Sequence, residues 1–318
     1  MEATPVVSVV MSVYREPIDW IKESVASILQ QTFSDFEFII VNDNPGDNAL
    51  CDYLRSLQVK DNRIILLYNE LNIGLTKSLN RGIERAQGKY IARMDADDIS
   101  YPHRFERQIE YLDNHIDVGV CGSYVELFGS KNGIVKYPVN DNEIFLFIET
   151  CCAHPSVMMR SSIFDGVRYN ESMRVAQDYD LWTTFYEKGV RFGNIAEPLL
   201  KYRCSDIQIT TTKAHLQINA SCHIRRRAFD HYCKINNIQF NLGDDDITFE
   251  AIDKIVQLVR LPYSVSMTLN YYLLSSVSSD SFGLLIYLLR NIGTIRLRMG
   301  DVFRLFYHSI TNSQIRKF

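Results

Sequence analysis

Lys89–Asp98 reads KYIARMDADD, an apolar, strand-forming run (Tyr90, Ile91, Ala92, Met94) that stops abruptly in three carboxylates, Asp95, Asp97 and Asp98. Gly88 stands just before it and Pro102 soon after. A strand with acids at its C-terminal end is where an open α/β sheet places a ligand. Side chains alternate along a strand, so Asp95 and Asp97 point the same way if the extended geometry persists. Paired oxygen donors suit a hard divalent cation, Mn²⁺ or Mg²⁺, and such a cation commonly holds phosphates. An isolated Asp-x-Asp is a weak signal, and the same acids also read as an N-cap cluster for the next helix, with Asp98 in that role. The surroundings decide between the two.

Outward from this run, apolar strands alternate with helical stripes. Val6–Tyr14 reads as a buried strand, and Ile21, Val25, Ile28 and Leu29 then form one face of a helix. Phe36–Asp43 is a second strand, followed by a helix over about Asn48–Leu57, and Ile64–Asn69 is a third strand. Leu75, Leu79, Ile83 and Ala86 line the next helix, which Gly88 ends; a helix bearing Phe105, Ile109 and Leu112 follows the acidic strand. Strands separated by single helices imply right-handed crossovers and a mainly parallel sheet, an α/β fold. After Asp117, strands are expected over Val118–Phe128 and Ile134–Tyr137, then a helix over Asp141–Thr150 and another following Asp178. Short strands near Arg191–Ile195 and Leu199–Arg203 close the α/β part, and beyond Thr210 the chain reads as helices only. The expected division is an α/β domain over 1–210 and a helical C-terminal region over 211–318.

With 318 residues, 46% hydrophobic and 23% charged, the chain has enough apolar surface for a sizeable core. A net charge of −4 argues against nucleic acid as the partner. The seven cysteines are irregularly spaced in apolar surroundings, as buried thiols in a reducing cytoplasm would be. Cys151-Cys152 lacks the spacing of a zinc site, and the N-terminus lacks the basic start of a signal peptide. No run is apolar enough to span a membrane. From Arg290 to Phe318, however, Arg290, Arg296, Arg298, Arg304, Arg316 and Lys317 interleave with Leu297, Phe303, Leu305, Phe306 and Tyr307. That suits a helix lying on an anionic membrane surface, or else a solvated basic face packed on the catalytic domain. The expected location is the cytoplasm, at the periphery of the inner membrane's cytoplasmic face.

Polar groups gather where the strands should end: Val13-Tyr14-Arg15-Glu16, Asn42-Asp43-Asn44, Asn72-Ile73-Gly74 and the Asp95 cluster. All belong to the ligand edge of a doubly wound sheet. There is no GxGxxG after the first strand, which argues against a dinucleotide cofactor. Tyr14 offers a ring to stack on a base, or is an ordinary buried tyrosine. Asp43 can accept from a base N–H or a ribose hydroxyl, or is a turn aspartate before Asn-Pro-Gly.

Six stretches stand in order along the chain: SVVMSVYRE (8–16), FIIVNDNP (38–45), NIGLTKSLNRGIERAQGKYIARMDADD (72–98), HPSVMMR (154–160), QDYDLW (177–182) and KYRCSDIQIT (201–210). On these landmarks the chain resembles glycosyltransferase family 2 enzymes of the GT-A fold, from Val6 to about Thr210. The resemblance implies that Val13, Tyr14, Glu16 and Asp43 surround a nucleotide and that Asn72, Gly74 and Asn80 line the same pocket. Asp95, Ala96 and Asp97 are then the DxD stretch, with Asp97 on a metal and Asp95 assisting it or facing the ribose. Asp178 matches the carboxylate that takes a proton from the acceptor hydroxyl; it also reads as an N-cap of the following helix, and both can hold. Where members often have Glu-Asp, this chain has Gln177-Asp178. Ser205 stands where relatives often carry a histidine, and Ser12 where they carry a proline. His154 faces the acceptor or is structural.

The implied activity is an inverting, metal-dependent transfer of one hexose or N-acetylhexosamine from a nucleotide diphosphate sugar, a UDP-sugar foremost. The acceptor would be a glycan, a lipid-linked O-antigen or capsule unit. There is no QxxRW motif, so the chain does not resemble a processive synthase. A sugar nucleotidyltransferase would want a Gly-rich basic signature within Ser12–Pro17, which is missing. A catalytically silent nucleotide-sugar binder is the remaining alternative, and the intact Asp95, Asp97 and Asp178 argue against it.

Overall fold

The computed structural model describes residues 4–139, 150–205 and separate positions between 220 and 235. The chain forms two compact units, Met1–Ala228 and Phe229–Phe318, and the first is the subject here. Apart from Thr150, the helix expected over Asp141–Thr150 lies outside the described residues, as does the basic run Arg290–Phe318.

In chain order the elements are β1 (Val7–Val13), α1 (Ile18–Leu29), β2 (Phe36–Asn42), α2 (Asn48–Lys60), β3 (Ile64–Tyr68), α3 (Leu75–Arg85) and β4 (Tyr90–Asp95). Then follow β5 (Ile99–Ser100), α4 (Arg104–Asn114), β6 (Val118–Gly129), β7 (Gly133–Val135), β8 (Met158–Arg160), α5 (Gln177–Glu187) and β9 (Arg191–Cys204). They form a sheet in the order β3-β2-β1-β4-β8-β6-β9-β5, with β7 pairing with β6 off that order. The first four strands are mutually parallel and β6 runs parallel to β9, while β8 is antiparallel to both β4 and β6. The mainly parallel α/β sheet expected from the alternating pattern is present. β1 and β2 are apolar almost throughout because helices cover both faces of a parallel sheet.

Register fixes the working edge. Val13 of β1 lies opposite Asn42 of β2, and Ser12 opposite Asp95 of β4. The segments leaving these strands therefore emerge side by side, bringing Tyr14, Asp43 and the acid turn to one end of the sheet.

Several details differ from the sequence reading. Arg191–Ile195 and Leu199–Arg203 belong to one strand, β9, because a bulge opposite Tyr124 absorbs Pro198, whose missing N–H would otherwise break the ladder. Asp98 does not cap a helix: α4 begins at Arg104 behind His103, and Asp98 instead accepts from the backbone N–H of Arg203 at 2.8 Å. The extended geometry does not persist past Asp95 either; a turn at Ala96–Asp97 gathers the carboxylates. Gly88 is not the cap of α3, which stops at Arg85. It is a point of close approach, where a Cβ would lie 2.6 Å from the Ser8 nitrogen and 2.8 Å from the Val7 carbonyl carbon. The Ser8 hydroxyl also accepts from the Gly88 N–H at 2.8 Å, so the two chains cannot part without losing that bond. Gly88→Ala is therefore expected to cost about 1–3 kcal/mol of unfolding free energy, the usual toll of overpacking, read from the urea midpoint. An unchanged midpoint would mean the crossing has slack.

Candidate functional site

The acid turn is pinned from two sides. Ser24 of α1 donates its hydroxyl to the Asp95 carbonyl at 2.7 Å. Arg203, near the end of β9, donates Nε to the Asp97 carbonyl at 2.7 Å, with its guanidinium stacked between Trp20 and Phe128. One carboxylate oxygen from each of Asp95, Asp97 and Asp98 lies within 4.8 Å of the others. Glu16 joins them electrostatically from the loop after β1, where its Oε2 accepts from the Tyr14 N–H at 2.7 Å.

Crowding these acids in a half-dry cleft disfavours their charged forms. Burial, then the charges of Asp95 and Glu16, push the Asp97 carboxyl up to about 7. Burial and the Asp95 and Asp97 charges raise Asp98 well above the usual range, and burial raises Glu16. Asp98 Oδ2 is buried with no hydrogen-bond partner. An orphaned carboxylate oxygen beside two others is a donor set that fits a hard divalent cation.

Asp43 solves its burial differently. Its carboxylate accepts from Asn69 Nδ2 at 2.6 Å, Asn72 Nδ2 at 3.0 Å and the N–H groups of Ile73 and Gly74 at 2.8 and 2.9 Å. All acceptor positions of a carboxylate are thereby filled. A nucleotide N–H can reach Asp43 only in exchange for one of these bonds. Gly74 takes φ +89 as it enters α3, a conformation that suits glycine. Tyr14 carries the Arg15 guanidinium 4.9 Å from its ring centroid, and its carbonyl accepts from Asn44. Val13 packs in the core and meets this loop through its carbonyl, which accepts the Asp43 N–H.

Asn80 does not join the Asp43 loop. It is buried, donates to the Tyr169 carbonyl at 3.0 Å and to Glu171 at 3.1 Å, and accepts the Tyr169 N–H. It thus ties α3 to the segment that leads into α5. His154 is enclosed, its Nε2 2.6 Å from the Tyr169 hydroxyl and its ring edge-on to Trp182. Burial holds His154 well below the usual range, hence neutral.

Asp178 occupies the second position of α5, and the residue before the helix, Ala176, is left-handed at φ 53. No side chain caps this helix, so Asp178 is not its N-cap; it lies in the first turn. Burial raises its carboxyl, while a hydrogen bond from the Tyr179 backbone and the charge of Arg93 work against that rise.

Arg93, Arg104, Tyr169 and Arg203 went unread in the sequence. Arg93 is a cation inside an otherwise buried apolar strand, which is the signal that could have found it. Arg104, also fully buried, donates to the carbonyls of Arg93 at 2.8 Å and Val157 at 3.1 Å. Tyr169 carries no such local mark, and Arg203 lies within the landmark stretch 201–210.

Residues 8–168 match the family described as Glycosyl transferase family 2. An uncharacterized glycosyltransferase of Methanocaldococcus jannaschii is 37% identical over 247 residues, spanning 74% of this chain and 84% of that protein. The O-antigen biosynthesis glycosyltransferase WbnJ of Escherichia coli is 33% identical over 205 residues, 62% of this chain and 79% of WbnJ. In fold, the chain is similar to S. aureus TarS 1–349 solved with UDP-GlcNAc, with a TM-score of 0.60, 13% identity and coverage of 96% of this chain and 91% of that one.

A cation binding at Asp97 competes with a proton there. With the carboxyl pushed up to about 7, less of Asp97 is ionised at pH 6 than at pH 8. The rise in Tm on adding Mn²⁺ to chelator-treated protein should therefore be larger at pH 8 than at pH 6. Asp97→Asn should lose most of that rise at both values. Equal Mn²⁺ effects across the range, measured by scanning fluorimetry, would speak against Asp97 as a ligand.

Proposed function

We infer the function from one premise: this chain belongs to glycosyl transferase family 2 and is a glycosyltransferase. The reaction we propose is a metal-dependent single displacement. It moves one hexose or N-acetylhexosamine from a nucleoside diphosphate sugar to a hydroxyl of a growing glycan. The observation that carries this reading is the placing of Asp178 at the head of α5, within the field of both Arg93 and Asp95. The acid turn and a carboxylate far away in sequence thus lie within reach of each other's charge.

The donor end is the turn of Asp95, Ala96 and Asp97, with Tyr14, Glu16, Asn72 and Gly74 beside it. Asp97, Asp95 and Asp98 would hold a Mn²⁺ or Mg²⁺ ion, which when bound supplies positive charge to the departing diphosphate. The acceptor hydroxyl oxygen forms a bond to the anomeric carbon as the bond from that carbon to the diphosphate breaks. The diphosphate leaves with the electron pair, the hydroxyl proton passes to Asp178, and attack from the opposite face inverts the configuration. Burial makes Asp178 a stronger base than a solvated aspartate, and Gln177 leaves it without an acidic neighbour in the pair. A uridine nucleotide is favoured because TarS 1–349 was solved with UDP and with UDP-GlcNAc. WbnJ's part in O-antigen biosynthesis supports a bacterial surface glycan as product, with a lipid-linked acceptor.

Among the described residues no helix is long and apolar enough to cross a membrane. We place the protein on the cytoplasmic face of the inner membrane through the basic, aromatic run Arg290–Phe318. Each basic residue near an anionic surface is worth roughly 1 kcal/mol. Deleting 290–318 should reduce co-sedimentation with anionic liposomes well before it changes donor affinity. Binding that ignores both the deletion and added salt would rule this placement out.

The chemistry is tested by screening nucleotide sugars for release of nucleoside diphosphate with Mn²⁺, Mg²⁺ or chelator, in wild type and Asp178→Asn. Asparagine keeps the shape of aspartate but cannot take the proton. Transfer should fall by roughly 10²–10⁴-fold while donor affinity survives. Near wild-type transfer in Asp178→Asn would remove it as the base, and full activity in chelator would remove the metal.

A further inference from the structure

Arg93 is buried more completely than any exposed ion pair requires. Tyr90, Ala92 and Met94 of β4 enter the core with Val7, Val9 and Met11, so alternation puts Arg93 and Asp95 together on the opposite face. The Arg93 side chain is 3% exposed, and its Nη1 forms an ion pair with Asp95 Oδ2. Nε has no hydrogen-bond partner, and the guanidinium holds Asp95 through Nη1, by charge and by hydrogen bond. The backbone around it is fixed: the Arg93 N–H donates to the Val157 carbonyl at 3.0 Å, and Arg104 holds the Arg93 carbonyl at 2.8 Å.

Around this one guanidinium stand acids from three parts of the chain: Glu16 after β1, Asp95, Asp97 and Asp98 after β4, and Asp178 on α5. An arginine stays charged in a protein. A buried, incompletely bonded cation is costly unless the surrounding charge offsets it. Here that charge is the acid cluster itself.

We propose that Arg93 is a positioning residue with two effects: it fixes Asp95 on the donor side, and its charge opposes the divalent cation that the acid cluster takes. The cluster is thereby kept from binding a cation so tightly that it holds the product diphosphate. This deepens the proposed reaction and rests on its metal dependence.

The test measures Mn²⁺ affinity by electron paramagnetic resonance without nucleotide, alongside kcat, donor KM and thermal unfolding, for wild type, Arg93→Gln and Arg93→Lys. Removing the charge in Arg93→Gln should tighten Mn²⁺ about tenfold, from the Coulomb term of a nearby unit charge, while kcat falls by about 10²-fold and donor KM stays within about threefold. Arg93→Lys keeps the charge and should bind Mn²⁺ within about threefold of wild type. A merely structural arginine would weaken Mn²⁺ binding and turnover together, and that result overturns the proposal, as does unaltered Mn²⁺ affinity in Arg93→Gln. Should Arg93→Gln not fold, Arg93→Lys decides alone: a tenfold change in its Mn²⁺ affinity counts against charge as the operative property. A wild type that binds no Mn²⁺ would overturn the metal reading, and this proposal with it, and is told apart because it shows without any substitution.

Discussion

Mutual repulsion among Glu16, Asp95, Asp97 and Asp98 is the constraint to which this end of the molecule answers. The register of β1 against β4 brings the acids together whatever they cost, because Ser12 lies opposite Asp95 and the chain must leave both strands at the same edge. Offsetting that cost takes different forms. Tyr14 gives Glu16 a backbone N–H, Arg203 gives one to Asp98, and Arg93 lies against Asp95. What these do not cover emerges as a raised Asp97 and an orphaned Asp98 oxygen. A divalent cation bound here would supply positive charge to these acids.

Asp43, one strand away, shows that an acid at this edge need not be left in want. Three of its four hydrogen bonds come from the loop Asn72-Ile73-Gly74, which delivers side-chain and backbone donors together, and the fourth comes from Asn69 just after β3. The carboxylate is a fastener for that loop, and the loop in turn starts α3 at the left-handed Gly74. The same edge thus holds one satisfied carboxylate that builds shape and a group of unsatisfied ones that attract charge. Asp43 and Asp98 are both buried, and the contrast between them follows from hydrogen-bond supply.

The alternation of strands and helices was legible because each strand is a continuous apolar run and each helix carries one apolar stripe. The acid turn was legible because carboxylates after such a run have no packing reason to be there. Three things were not. Pro198 looked like a strand break, since the bulge that tolerates it depends on β6, a partner distant in sequence. Asn80 matched a pocket residue by motif, yet its amide is used up on Tyr169, 89 positions away. Arg93 passed as one charge in a strand, because only the folded chain collects five carboxylates around it. Local chemistry can be read from a sequence, whereas long-range partnership shows only after folding.

The head of α5 shows how such partnership sets where a side chain sits. Ala176 holds φ 53, a left-handed conformation that costs an ordinary residue roughly 1–2 kcal/mol. Strain of this size persists only where the surroundings over-determine it. They do so here on both flanks. Upstream, Asn80 grips both backbone polar groups of Tyr169. Downstream, Arg227 donates to the Asp180 carboxylate and carbonyl and to the Thr184 hydroxyl, and Trp182 is fully buried. With the chain fixed on either side, the bend at Ala176 sets where the first turn of α5 begins, and hence where Asp178 sits. Asp178 is thus placed by contacts on both flanks as well as by the Tyr179 backbone N–H that its own carboxylate accepts.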